Sequence, residues 1–375
     1  MKLFFFFLIR CSSITLLASS LDIVLYIYIS FLVAFDFMAE TRAVLLKELL
    51  KHQGHGSLKK LFVFGDSYAD TGNCKKSVSG SWKPPYGITF PGKPAGRFSD
   101  GRVLTDYVAS YLGIESPIAN YNWRKSVKRP QAMNGMNFAY GGTGVFNTLV
   151  NEPNMTTQVK FFQQLLEEKI YSRQDLINSS IALVSLAGND YGTYVFQNGN
   201  LQDLPTFTKS IISQLVVNLK SIQNLGVQKI VVTAMEPMGC LPRLAVFSSY
   251  KNCNESWNSV SMFHNQILQQ ELQNLNNASN NSVFVTLDLY SAFMSALKRQ
   301  ANNSGNSEVR SSLEPCCVGV SDKYSCGSVD EKGEKKYKVC KSPELSMYWD
   351  NIHPTQSGWN AVFSALKSSS LPKLY

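Results

Sequence analysis

A serine that attacks a carbonyl carbon at neutral pH normally needs an imidazole to take its proton, and this chain has four histidines. His52 and His55 lie in a polar stretch ahead of the first strand-like run, and His264 falls within a run of helical period, where a structural or surface role is the default. His353 is left. It stands in Trp349-Asp350-Asn351-Ile352-His353-Pro354-Thr355, where Pro354 holds it out of helix at the edge of a terminal helix. Asp350, three residues earlier on such a turn, can reach Nδ1, fix the tautomer and stabilise the imidazolium. Asp-x-x-His alone is a common spacing, so its weight depends on what else the chain offers.

The matching nucleophile is Ser67 in Gly65-Asp66-Ser67. Gly65 permits a tight turn, and Ser67 would then sit exposed at a helix start, where backbone N–H groups favour developing negative charge. A serine there is also an ordinary N-cap. Two further polar loops follow apolar runs: Gly141-Gly142-Thr143-Gly144 and Gly188-Asn189-Asp190. Glycine lets a backbone N–H approach a ligand closely and an Asn amide can donate a further bond, so the set could form an oxyanion hole. Asn189 alone reads equally well as a left-handed turn residue. A dinucleotide-binding turn is excluded, because Asn147 stands where G-x-G-x-x-G requires its third glycine.

These groups need a scaffold that gathers loops at one edge. From Lys60 onward, short β-branched or aromatic runs alternate with stretches of helical period, which argues for a parallel sheet covered by helices. The strands read as 61–66, 136–140, 181–187, 229–235 and 283–289, nearly continuous apolar runs as expected of strands buried on both faces. Helical spacing runs over 156–171, 205–225, 256–276 and 355–367. In such folds, sites gather at the carboxyl ends of the strands, where Ser67, the glycine loop and Asn189 all fall.

Composition sets the remaining bounds. The 375 residues are 44% hydrophobic and 17% charged, enough for one sizeable core, and no repeat or long linker interrupts 60–375, which reads as a single domain. The formal charge is +9, but the basic residues are scattered and no RNA-binding motif or zinc-finger spacing occurs, so nucleic acid is not an expected partner. The clusters Arg124, Lys125, Lys128, Arg129 and Lys332, Lys335, Lys336, Lys338 read as solvated loops, with a weak attraction to acidic wall polymers or an anionic membrane surface compatible with them. A monomer is expected.

Taken in order, these blocks resemble the plant GDSL-type esterase/lipase family, within the wider SGNH-hydrolase superfamily, over about 61–365. Phe64-Gly65-Asp66-Ser67-Tyr68-Ala69-Asp70-Thr71-Gly72-Asn73 is similar to its nucleophile block, with Tyr68 where the name-giving leucine usually stands. Asn137-Phe138-Ala139-Tyr140-Gly141-Gly142 is similar to its oxyanion-glycine block. Ala187-Gly188-Asn189-Asp190 follows its third block, with Ala187 in place of a glycine, and Asp350-Asn351-Ile352-His353-Pro354-Thr355 its last. The resemblance implies a flavodoxin-like three-layer α/β/α sandwich and a carboxylic ester hydrolase with no metal or organic cofactor. It implies Ser67 as nucleophile, His353 as base and Asp350 as orienting acid. The oxyanion donors would be the N–H groups of Ser67 and Gly141, Gly142 being the near alternative, with the Asn189 amide. Its substrate would be a small-molecule or polymer-linked ester. An acyltransferase using the same acyl-enzyme, or a non-catalytic carbohydrate- or lipid-binding protein, are the rival readings. Missing from the chain is any G-x-S-x-G elbow.

Export is expected. MKLFFFFLIR places Lys2 before an apolar stretch in the layout of a signal peptide, and 21–37 is a second apolar run, an uncleaved anchor or part of an extended start. The expected organisation is an apolar segment over 1–37, a polar segment over 38–59 and the catalytic domain. Sequons begin at Asn154, Asn178, Asn254, Asn277, Asn280 and Asn302, as suits a secreted glycoprotein. Cys316, Cys317, Cys326 and Cys340 crowd a polar region and read as disulfides, two of three pairings remaining because adjacent cysteines rarely bridge. Cys240 and Cys253 can close a loop, which leaves Cys74 over.

Overall fold

The computed structural model describes residues 59–126, 132–186, 188–279, 282–303 and 311–371. The expectations for 1–37 and for 38–58 lie outside the described residues. The rest belongs to one compact unit, Ser57–Tyr375.

Six parallel strands form one sheet: β1 (Lys60–Gly65), β2 (Ile118–Ala119), β3 (Gly135–Asn137), β4 (Ser180–Ser185), β5 (Lys229–Thr233) and β6 (Phe284–Leu287), in spatial order β2-β3-β1-β4-β5-β6. The helices that position the site are α1 (Leu104–Tyr111), α2 (Met155–Glu167), α3 (Asn189–Phe196), α4 (Leu204–Asn224), α5 (Pro242–Ala245), α6 (Glu255–Ser279), α7 (Leu289–Asn303) and α8 (Gln356–Ser369).

The alternation of β1 explains the three layers. Leu61 and Val63 point to one face and pack with Leu104, Val108, Phe293, Trp359 and Leu366 of α1, α7 and α8. Phe62 and Phe64 point to the other, against α2, α4 and α6; the Phe62 and Phe162 ring centroids are 4.6 Å apart. Successive strand side chains take opposite faces, and burying each large apolar side chain contributes about 1.5–3 kcal/mol, so both faces must be covered. The three-layer α/β/α fold expected from the sequence is the one observed. Because β1 is central, Lys60↔Ser180 through Gly65↔Ser185 runs in register with β4, and its carboxyl end opens between the loops after β3 and β4.

Three local readings needed correction. The strand expected over 136–140 ends at Asn137, yet Phe138 N–H donates to Val63 O (2.7 Å) and Tyr140 N–H to Gly65 O (3.0 Å), so the chain follows β1 up to Gly141. The last run leaves β6 at Leu287, and α7 begins two residues later. Asp288 Oδ1 accepts from Ser291 N–H at 3.0 Å, and Leu289, Ala292, Phe293, Ala296 and Leu297 are buried at helical spacing. The two-residue edge strand β2 and α1 were not legible as separate elements.

Three disulfides are present: Cys240–Cys253, Cys316–Cys340 and Cys317–Cys326. They decide the pairing that spacing left open. Among the described residues Cys74 is the one free cysteine, and it is buried. A two-stranded antiparallel ribbon, β7 (Cys317–Gly319) with β8 (Tyr337–Val339), carries the late cysteines. No helix among the described residues is long and apolar enough to cross a membrane.

Candidate active site

Ser67 stands two residues after the end of β1, in a turn and not at the helix start that the sequence reading expected. Asp66 Oδ1 accepts from Tyr68 N–H (3.0 Å), and Asp70 Oδ1 from the N–H groups of Gly72 and Asn73 (2.7 Å each). These side chains satisfy the backbone donors that a helix would use, so the segment closes as a turn. Within it, Ser67 is 6% exposed rather than standing out in solvent. The strand end beneath it is fixed by Gln158 of α2, whose Oε1 accepts from Gly65 N–H (2.8 Å) while Nε2 donates to Gly65 O (2.9 Å).

The structure brings the three expected groups together. His353 Nε2 lies 2.8 Å from Ser67 Oγ, and Nδ1 lies 2.9 and 2.8 Å from Asp350 Oδ1 and Oδ2. The Asp350 carboxylate also accepts from the N–H groups of Ile352 and His353, at 2.9 Å each, so the turn that carries the histidine is built on the acid that faces it. Tyr86 donates to Asp350 Oδ2 at 2.7 Å. Burial pushes the Asp350 carboxyl up, but the opposing His353 and these hydrogen bonds win and hold it below the usual carboxylate range. Two rings then confine the imidazole: Phe98 at 5.1 Å and Tyr68 at 6.1 Å between centroids. Tyr68 also donates to Ile352 O (3.0 Å), tying the serine turn to the histidine turn. Nothing in the sequence singled out Tyr86, Phe98 or Gln158, because their roles depend on contacts across 93 to 264 residues or on ring packing.

The oxyanion side differs from expectation at Gly141. Its N–H donates to Asp70 Oδ2 and Cys74 Sγ, each at 3.1 Å, which turns it away from the serine. A β-carbon at Gly141 would come within 2.2 Å of the Phe98 ring, so this glycine is needed for packing. Gly142 occupies the left-handed region at φ +81°, as the third residue of a turn closed by Thr143 N–H to Tyr140 O (3.3 Å). Neither the Gly142 nor the Ser67 N–H has a hydrogen-bond acceptor among the described residues. Asn189 opens α3, and it is Gly188 before it that takes the left-handed conformation, at φ +81°. The Asn189 amide donates to Asp66 Oδ2 (3.2 Å) and Thr143 O (3.1 Å), both long bonds, which aims it at the serine turn. Asp190 accepts from Val145 and Phe146 N–H, at 2.9 Å each, and so anchors the glycine loop to α3.

Other titratable groups are structural. His264 is buried on α6 with Nδ1 2.9 Å from Tyr191 Oη, and burial lowers its pKa to about 4. Burial pushes the Cys74 thiol far up, which keeps it protonated. Among the described residues, no three His, Cys, Asp or Glu side chains gather as a metal site would need. Of the sequons, Asn154 and Asn254 use Oδ1 to cap α2 and α6, accepting from Thr157 and Trp257 N–H, and Asn277 is exposed on α6. Asn280 and Ala187, and the side chains of Asn178 and Asn302, lie outside the described residues.

Two cavities lie along the loops that flank the serine, one at Asn189 and one at Gly141 and Gly142. One, of about 160 Å³, is lined by Asn189, Val195, Met238, Leu244, Trp257 and Ile352. The other, of about 550 Å³, lies past Gly141 and Gly142 and is bordered by Phe98, Val78 and Val150.

Comparison with known proteins agrees with this geometry. The family model described as GDSL-like Lipase/Acylhydrolase matches residues 61–366. Two GDSL esterase/lipases of Arabidopsis thaliana are 53% and 51% identical, each over 83% of this chain and over 86% and 90% of their own lengths. Acetylajmalan esterase 2 of Rauvolfia serpentina is 30% identical over 84% of this chain and 91% of its own. The family model's match spans the serine turn, both loops and the Asp350–His353 turn. The chain belongs to the GDSL-like lipase/acylhydrolase family and is a carboxylic ester hydrolase.

Proposed function

We propose that hydrolysis proceeds through a Ser67-His353-Asp350 triad and a covalent acyl-enzyme. The single observation that carries this reading is His353, with Nε2 2.8 Å from Ser67 Oγ and Nδ1 2.8 Å from Asp350. His353 Nε2 takes the Ser67 proton as Oγ attacks the ester carbonyl, Asp350 stabilises the imidazolium, and the proton passes to the departing alkoxide. Water, deprotonated by the same imidazole, then releases the acid and restores Ser67. The oxyanion receives the N–H groups of Ser67 and Gly142, and Asn189 shares an amide proton with it. Gly142 replaces Gly141 here because only the former has an uncommitted N–H among the described residues.

An added alcohol would intercept the same acyl-enzyme, and the ratio of transfer to hydrolysis measures any acyltransferase activity. We also infer passage through the secretory pathway, since three disulfides need an oxidising compartment. The test is a p-nitrophenyl ester series of increasing chain length with purified protein, Ser67→Ala as control. Turnover abolished in the variant supports the triad; turnover that survives the substitution defeats it.

A further inference from the structure

The small cavity beside Asn189 and Ile352 has an unusual mouth. Its walls include α3 and α5, since Val195 lines it from one and Arg243 and Leu244 from the other. Next to Val195, Phe196 ends α3 and is 72% exposed. Three residues beyond Leu244, in the turn Val246–Ser248, Phe247 is 84% exposed. Val195, Leu201 and Val246 are exposed in the same two stretches of chain. Single exposed apolar residues are ordinary, but several in the two segments that supply walls of one cavity mark a contact surface.

Charge selects the partner. Between Tyr191 and Gln202 the chain carries no charged residue, and between Pro237 and Asn254 it carries Arg243 and Lys251 with no acid. At the margins stand Asp190 and Glu236, both buried, and Asp203 and Glu255, and the whole chain is at +9. Exposed phenylalanines beside cations, without intervening carboxylates, complement the headgroup and acyl boundary of an anionic lipid layer. The segment is also held rigidly. The Cys240–Cys253 disulfide spans it, and Arg243 N–H donates to Asn351 O at 3.0 Å, tying it to the Asp350–His353 turn.

The geometry points to the face formed by Phe196, Phe247, Arg243 and Lys251 as a docking surface for anionic lipid, which presents the cavity beside Asn189 and Ile352 to esters held in that layer. This inference concerns binding and is tested apart from the proposed triad. Ser67→Ala protein is sedimented with phosphatidylcholine vesicles, with and without phosphatidylglycerol. Binding is expected only with the anionic lipid, weakening as salt rises, and falling about tenfold or more in Phe196→Asp/Phe247→Asp. The same pair in the Ser67 background should leave turnover of a water-soluble short ester unchanged, showing that the fold survives, and Val217→Asp on exposed α4 should bind like the parent. Absence of binding to anionic vesicles overturns the proposal. So does equal binding by the double variant, retention on wax or polyester particles but not on vesicles, or a concentration-dependent dimer that the double variant abolishes.

Discussion

Tyr86 supplies one of the hydrogen bonds that Asp350 receives, and Tyr86→Phe removes it while keeping the ring packed against Trp349. A bond of that kind is worth about 0.5–1.5 kcal/mol, so kcat should fall roughly two- to tenfold with KM little changed. A KM effect without a kcat effect would mean that Tyr86 contacts substrate instead. Asn189→Ala tests the amide directly. Removal of one oxyanion donor costs about 10²–10³-fold in kcat, and a loss below tenfold would show that Asp66 and Thr143 keep the amide from the reacting oxygen. Gly141→Ala acts differently, through the Phe98 ring that a β-carbon would strike at 2.2 Å. Because Phe98 lies over His353, kcat should drop although Gly141 is not assigned a donor role, and combining it with Phe98→Ala should restore part of the loss.

Among the elements, the helix after the Asp350–His353 turn is held by two side-chain caps, Thr355 and Asp100, the latter accepting from Gln356 N–H at 2.7 Å. Thr355 Oγ1 accepts from Gly358 N–H at 2.8 Å, and Thr355→Ala should cost about 1 kcal/mol, readable as a fall of roughly 1–3 °C in Tm. The Asp350 turn is braced from behind by the disulfide-linked segment: Cys316 N–H donates to Tyr348 O (2.9 Å) and Cys317 N–H to Trp349 O (2.6 Å). Reduction of Cys316–Cys340 and Cys317–Cys326 should therefore lower kcat before global unfolding. If activity and far-UV ellipticity are instead lost together on titration with dithiothreitol, the bridges support the fold alone. Helix periodicity found α2, α4, α6 and α8 because each buries one long apolar stripe. It missed α7, whose stripe is interrupted by alanines and joined without a gap to the end of β6.

At the scale of the whole molecule, two buried groups shape stability against pH. Burial pushes Glu236 from an ordinary 4.5 up to about 8, its own backbone N–H and Arg243 offsetting little of this. Between those values the unfolded chain has lost a proton that the folded chain keeps, so the contribution of Glu236 to stability declines as pH rises from about 4.5 to about 8. His264 works in the opposite sense. Its pKa falls from 6.5 to about 4, so stability is lost as pH drops through that range, because the unfolded chain takes up a proton that the buried imidazole refuses. Glu236→Gln should flatten the alkaline decline and stabilise the protein at pH 8 by up to a few kcal/mol. Equal Tm values for the two proteins from pH 5 to 8 would show that Glu236 is not held neutral.

Sequence alone pointed to an ester hydrolase and to the class of fold. Apolar runs long enough for buried strands carried the fold, while Ser67, Asn189 and His353, each beside a strand end or helix start, pointed to the chemistry through the resemblance of their blocks, taken in order, to one family. Those patterns are properties of neighbouring residues, and the chain displays them unaided. Tertiary structure decided what depends on distance across the fold. It paired Cys316 with Cys340 and Cys317 with Cys326, a choice that four close cysteines leave open. It also turned the Gly141 N–H toward Asp70 and Cys74, which transfers the proposed donor role to Gly142. Tyr86 reached Asp350 across 264 residues for the same reason: a hydrogen bond is fixed by a separation of about 3 Å in space, to which sequence spacing gives no access.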